Sequence, residues 1–265
     1  MRLNGIDIAY DDKGSGTPLV LVHGHPFNRS MWWPQVERFS EDHRVVVPDL
    51  RGYGDTTVVP GKTPLGVFAD DLVALLDHLG LARVVLGGLS MGGQIVMEVH
   101  RAHPERIGAL ILADTSPEAD AQAEREARRA TAERLLREGM APYADEVLGK
   151  MITPHHVRAL PEVAAHVSRM MRGTAPEGAA AALRGRAERP DYRDSLARVA
   201  VPTLVVVGEE DEYTPVDVAR RLHGVVPGST LAVVRGAGHL PNLERPEEFN
   251  EVLARFLAEV APGIG

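Results

Sequence analysis

The chain has 265 residues, a formal charge of −8, 44% apolar and 25% charged residues, and no cysteine. Such a composition suits a soluble α/β domain with an insertion and can bury a substantial core. The acidic balance argues against nucleic acid and anionic membranes as partners, and the lack of cysteine excludes disulfides and thiol chemistry.

From residue 1 to about 113, short apolar runs alternate with longer helical patterns, which predicts βαβ units and a mostly parallel sheet. Residues 6–10 and 19–22 read as an antiparallel hairpin turned at Gly14-Ser15-Gly16. A strand over 44–47 leads into Asp49-Leu50-Arg51-Gly52-Tyr53-Gly54. There the glycines read as turns, and Asp49 and Arg51 as hydrogen-bond partners of the loop backbone. The spacing of Val67, Leu72, Leu75, Leu76 and Leu79 predicts a helix over 63–79 that stops at Gly80. The run Val84-Val85-Leu86 ends in glycines, places Ser90 in the frame Gly88-x-Ser90-x-Gly92, and is followed by a helix-compatible stretch over 94–101. Strand, tight turn and helix with a serine at the apex is the pattern of a nucleophile elbow.

After the apolar run 110–113, residues 117–195 change character and become rich in Ala, Arg and Glu. A long polar helix over 118–138 and shorter helical stretches over 143–151, 161–171 and 177–186 predict a helical cap lying over Ser90. The expected division is 1–116 core, 117–195 cap and 196–265 core. Met140, Met151, Met170 and Met171 are candidates either to line an adaptable cavity or to pack cap against core. His155-His156 is expected to be an exposed pair in a cap loop. The core pattern resumes with a strand over 203–208, a helix over 216–225, a strand over 231–234 and a final helix over 246–260.

A serine hydroxyl is a poor nucleophile near neutral pH and needs a base, which in turn needs an orienting group. His239 follows a strand in Gly236-Ala237-Gly238-His239, on a glycine-flanked turn. Asp211 lies three residues past Gly208 at the end of another strand, and Asp114, after residues 110–113, is its rival for the acid.

Across nearly its whole length the chain resembles the α/β-hydrolase superfamily, in particular serine carboxylesterases and 3-oxoadipate enol-lactonases. The segments that carry the resemblance are Val22-His23-Gly24-His25-Pro26, Asp49-Leu50-Arg51-Gly52-Tyr53-Gly54, Gly88-Leu89-Ser90-Met91-Gly92-Gly93, Gly208-Glu209-Glu210-Asp211 and Gly238-His239. The resemblance implies an α/β-hydrolase fold: a mostly parallel twisted sheet flanked by helices, with an inserted helical cap. It implies Ser90 as nucleophile, His239 as general base and then acid, and Asp211 as the carboxylate orienting His239. The backbone N–H groups of His25 and Met91 would form the oxyanion hole.

The implied reaction is hydrolysis of a small or medium ester or lactone through an acyl-enzyme, with no metal or organic cofactor. His23-x-His25 invites a metal reading, but the further His/Asp pattern of a di-metal hydrolase is missing. A serine nucleophile argues against haloalkane dehalogenases and epoxide hydrolases, which use aspartate. Pro26 directly after His25 is also found in cofactor-free haloperoxidases, which are perhydrolases. Carbon–carbon bond hydrolysis and a non-enzymatic ligand-binding role on the same fold are further alternatives. The start of the chain lacks the apolar core of a signal peptide, and no segment is long and apolar enough to span a bilayer, so a cytoplasmic location is expected.

Overall fold

The computed structural model describes residues 1–264. A two-stranded flap, β1 (Arg2–Leu3) and β2 (Ile6–Asp7), precedes the main sheet. Then come β3 (Tyr10–Lys13), β4 (Thr17–Val22), α1 (Trp33–Phe39), β5 (His43–Pro48), α2 (Leu65–His78), β6 (Val84–Leu89), α3 (Met91–Ala102) and β7 (Ile107–Ala113). Five helices follow: α4 (Gln122–Glu138), α5 (Met140–Met151), α6 (Pro154–Ala159), α7 (Pro161–Gly173) and α8 (Pro176–Arg186). The chain closes with α9 (Arg193–Leu196), β8 (Thr203–Gly208), α10 (Val216–Val225), β9 (Thr230–Val234), α11 (Pro241–Glu244) and α12 (Pro246–Val260).

The seven-stranded sheet has the order β3-β5-β4-β6-β7-β8-β9, with β3 antiparallel and the other strands parallel. The expected hairpin between residues 6–10 and 19–22 does not form. β5 lies between them, pairing antiparallel with β3 and parallel with β4. The reason is burial. β5 carries Val45-Val46-Val47 and is covered on both sides, whereas β3 offers exposed Asp11, Asp12 and Lys13 and makes a charged, protected edge.

Parallel strands covered on both faces read as continuous apolar runs, and their alternate residues serve two cores. Leu19 and Leu21 of β4, with Leu204 and Val206 of β8, pack toward α1 and α12. Val20, Val22, Val205 and Val207 pack on the other face with α2, α3 and α10.

The helices between β7 and β8 sit against this core. Ile152, Val167, Met170 and Met171 join the first core cluster, so these methionines pack rather than line an opening. The helix α8 docks by direct backbone contact. A Cβ at Gly178 would lie 2.0 Å from the Gly52 carbonyl oxygen, and one at Gly185 would lie 1.7 Å from the Thr63 carbonyl oxygen. No other residue permits that approach. Thr63 N–H donates to Ala181 O at 3.0 Å within the same seam.

Candidate active site

Four loops at the carboxyl ends of β4, β6, β8 and β9 converge, which is where open α/β sheets place their ligands. Ser90 stands between β6 and α3 with φ 59° and ψ −118°, a backbone conformation few non-glycine residues hold without strain. The turn is so tight that a Cβ at Gly88 would lie 2.3 Å from the Gly92 carbonyl carbon. Ser90 N–H donates to Ala113 O at 2.9 Å, and Thr115 Oγ1 donates to Ser90 O at 2.8 Å. The elbow is thereby pinned to the end of β7.

His239 Nε2 is 2.9 Å from Ser90 Oγ, and His239 Nδ1 is 2.8 Å from Asp211 Oδ2. All three residues are buried. With Nδ1–H donating to the carboxylate, Nε2 is left to accept from the serine hydroxyl. Asp211 Oδ1 also accepts from Tyr213 N–H at 2.8 Å and Thr214 N–H at 3.2 Å, and Oδ2 accepts from Thr214 Oγ1. Burial pushes this carboxyl up. The facing His239 and the Thr214 hydrogen bonds outweigh it and hold Asp211 at about 2.

Asp114 does not bond His239. It lies behind the chain, with Oδ1 accepting from Gly208 N–H at 2.8 Å and Oδ2 buried without a partner. Burial, and then the nearby Asp211, push Asp114 well above the usual carboxylate range. Ligand atoms of Asp114, Asp211 and His239 lie within 4.8 Å of one another. Asp211 and His239 are joined by their own hydrogen bond, and Gly208 N–H holds Asp114 close by without bonding it to either.

The loop after β4 brings His25 beside Ser90 on the wall of one cavity of about 390 Å³. Neither the His25 N–H nor the Met91 N–H enters a turn or cap hydrogen bond among the described residues. His23 and His25 turn to different partners. His23 Nε2 accepts from Leu50 N–H at 3.0 Å and its Nδ1–H donates to Gly24 O at 2.9 Å, which ties the two loops together. His25 Nδ1 is 2.8 Å from Tyr53 Oη. Burial, reinforced by Arg186 and Arg128, pushes the His25 imidazole well down, and burial pushes the Tyr53 phenol up. A neutral imidazole thus meets a protonated phenol at Nδ1, and His25 Nε2 has no partner among the described residues.

Several residues of the site have no sequence signal of their own. Glu244, in α11, accepts from Gly238 N–H at 2.8 Å, Thr153 N–H at 2.8 Å, Thr153 Oγ1 at 3.0 Å and His156 Nδ1 at 2.8 Å. It joins the His239 turn to the start of α6. His156 is accordingly buried and helical rather than exposed in a loop, while His155 beside it is exposed. Asp49 does bond loop backbone, accepting from Arg29 N–H at 2.7 Å and Asp55 N–H at 2.9 Å. Arg51 also bonds loop backbone, its Nη2 donating to Asn4 O at 3.3 Å, and in addition pairs with Asp71 of α2 at 2.6 Å across a shielded gap. Of the four methionines singled out, Met151 alone lines the cavity, together with Tyr143, Leu183, Tyr213, Arg128, Arg186 and Arg189.

A family profile described as alpha/beta hydrolase fold matches residues 17–246. The 3-oxoadipate enol-lactonase 2 of Acinetobacter baylyi is 31% identical over 242 residues, spanning 90% of this chain and 89% of that one. A thermophilic esterase from Thermogutta terrifontis, solved with malate bound, superposes with a TM-score of 0.95 at 41% identity, covering 97% and 94% of the two chains. A bromoperoxidase from Bacillus anthracis superposes at a TM-score of 0.86 with 28% identity, covering 96% of each chain.

Proposed function

This chain belongs to the alpha/beta hydrolase fold family, and from that premise we propose that it hydrolyses small or medium carboxylic esters or lactones through an acyl-enzyme on Ser90. The hydrogen-bonded chain Ser90–His239–Asp211 carries the reading. Ser90 Oγ attacks the carbonyl carbon while His239 Nε2 takes its proton. The N–H groups of Met91 and His25 hold the tetrahedral oxygen and stabilise the charge that develops in the transition state. His239 then gives the proton to the leaving oxygen, the acyl group stays on Ser90, and a water activated by the same imidazole releases the acid. Asp211 keeps the imidazole in the tautomer that accepts from serine. A cavity of about 390 Å³ suits a small substrate.

The test is intact mass after fluorophosphonate treatment, run beside rates on short p-nitrophenyl esters and a γ-lactone. One adduct on Ser90, with turnover abolished in Ser90→Ala and reduced about 10³- to 10⁴-fold in Asp211→Asn, is the expected outcome. No adduct and no turnover would replace this reading with a ligand-binding role. Peracid formation is a second reading, favoured by Pro26 after His25 and by the likeness to a bromoperoxidase. Thr174 Oγ1 lies 2.9 Å from Pro26 O and 3.0 Å from Met170 O, so its one hydrogen is shared between the two carbonyls and that of Pro26 is partly engaged by the cap. Ester hydrolysis is therefore expected to outrun peracid formation from acetate and hydrogen peroxide.

A further inference from the structure

We infer that Arg186 forms an anion subsite in the Ser90 cavity, and that the ester or lactone cleaved there carries a free carboxylate. The inference rests on the ester or lactone reading above and narrows it to one substrate class. Arg186 is the last residue of α8 and lines the same cavity as Ser90, His25 and His239. Its Nε–H donates to Gln94 Oε1 at 2.7 Å, and no carboxylate among the described residues pairs with it. The nearest acid is already taken. Asp120 accepts from Arg128 Nε and from Arg189 Nη1, the latter at 2.6 Å. At the rim, Glu118 pairs with Arg221 at 3.6 Å.

Arg128, Arg186 and Arg189 thus face one buried carboxylate, Asp120, and with Arg221, Glu118 and the exposed Glu124 counted the cavity lining carries one positive charge in excess, inside a chain whose net charge is −8. Burial, with Arg128 and Arg189 close by, pushes Arg186 well below the usual guanidinium range. A guanidinium does not give up its proton in proteins, so the charge stays and is relieved by an incoming anion. The planar fork of donors on Arg186 matches a carboxylate, which takes two parallel N–H bonds. His25, whose Nε2 has no partner among the described residues, and Tyr143 border the same space, with the two rings 6.1 Å apart, and add neutral polar groups to it. The backbone contacts of Gly178 and Gly185 hold α8 to the core and so fix Arg186 relative to the elbow.

The experiment compares monomethyl glutarate with methyl pentanoate, which have the same chain length and differ in the distal carboxylate. Wild-type protein is expected to favour the charged ester by about 10- to 100-fold in kcat/KM, the range of a charge-assisted hydrogen bond. Arg186→Met is expected to bring that ratio close to one, mainly through KM, and Arg186→Lys to restore part of it. Glutarate is expected to inhibit methyl pentanoate hydrolysis competitively, a measurement that needs no variant. Fluorophosphonate labelling of Ser90 with turnover of methyl pentanoate, but with no preference for the charged ester and no inhibition by glutarate, overturns the subsite and leaves ester hydrolysis standing. No labelling and no turnover of either ester overturns both.

Discussion

At the scale of single residues, Asp114 makes the sharpest claim. One oxygen accepts from Gly208 N–H and the other is buried beside Asp211 with no partner, an arrangement that penalises a carboxylate more than a neutral carboxyl. Its folded-state value is raised, so the stability it contributes is complete below the ordinary carboxylate value and is lost as pH rises toward the folded one. Asp114→Asn keeps an acceptor for Gly208, supplies a donor toward Asp211 and tolerates the φ of 46°. The melting temperature of the Asn variant is therefore expected to gain on wild type as pH rises from about 4 to about 8. A gap that stays constant across that range would mean that Asp114 is ionised throughout. Asp211 has the opposite sign. Held down at about 2, its contribution is present above the ordinary value and is lost as pH falls toward 2. Residues such as Ser90, Asp211 and His239 were legible because glycine-flanked turns after apolar runs mark them. Tyr53, Arg186 and Glu244 were not. Each acts through a partner 28, 92 or 91 residues away, and no local pattern encodes that meeting.

At the scale of elements, the short helix α11 and the helix α8 set the site. Glu244 leaves four donors unpaired if truncated, two of them backbone or side-chain groups of Thr153. Glu244→Ala is expected to cost about 3–5 kcal/mol in urea unfolding and to lower kcat, because the Gly238–His239 turn loses its anchor. Glu244→Gln keeps part of the network and should recover part of both. Gly178→Ala adds a methyl where no space exists and is expected to destabilise by about 1–3 kcal/mol. A Gly178→Ala variant as stable as wild type would mean that the seam gives way easily. Helices with clear apolar spacing and proline entry were readable to the residue, as α10 and α12 show. The order of strands was not, since β3 and β4 are adjacent in sequence and separated in space by β5. Pairing was decided by which strand needed cover on both edges, a property of the whole sheet.

At the scale of the whole molecule, one apolar cluster runs from Leu21 and Val85 of the sheet into Val167 and Met171 between β7 and β8. Buried apolar contact that crosses between two parts makes them unfold together. Urea unfolding is expected to be one transition, with tryptophan fluorescence, dominated by the change at fully buried Trp32, coinciding with far-UV dichroism. Two separated transitions would show that the helices of residues 122–186 melt on their own. No helix among the described residues is long and apolar enough to cross a membrane. The loops that converge on Ser90 all leave the carboxyl ends of β4, β6, β8 and β9. The opposite rim of the sheet, where Gly80, Pro104, Pro202 and Gly228 turn the chain back into its strands, contributes nothing to the cavity. That rim is the side by which the molecule can be immobilised on a solid support, with the mouth facing the solution and every working group untouched.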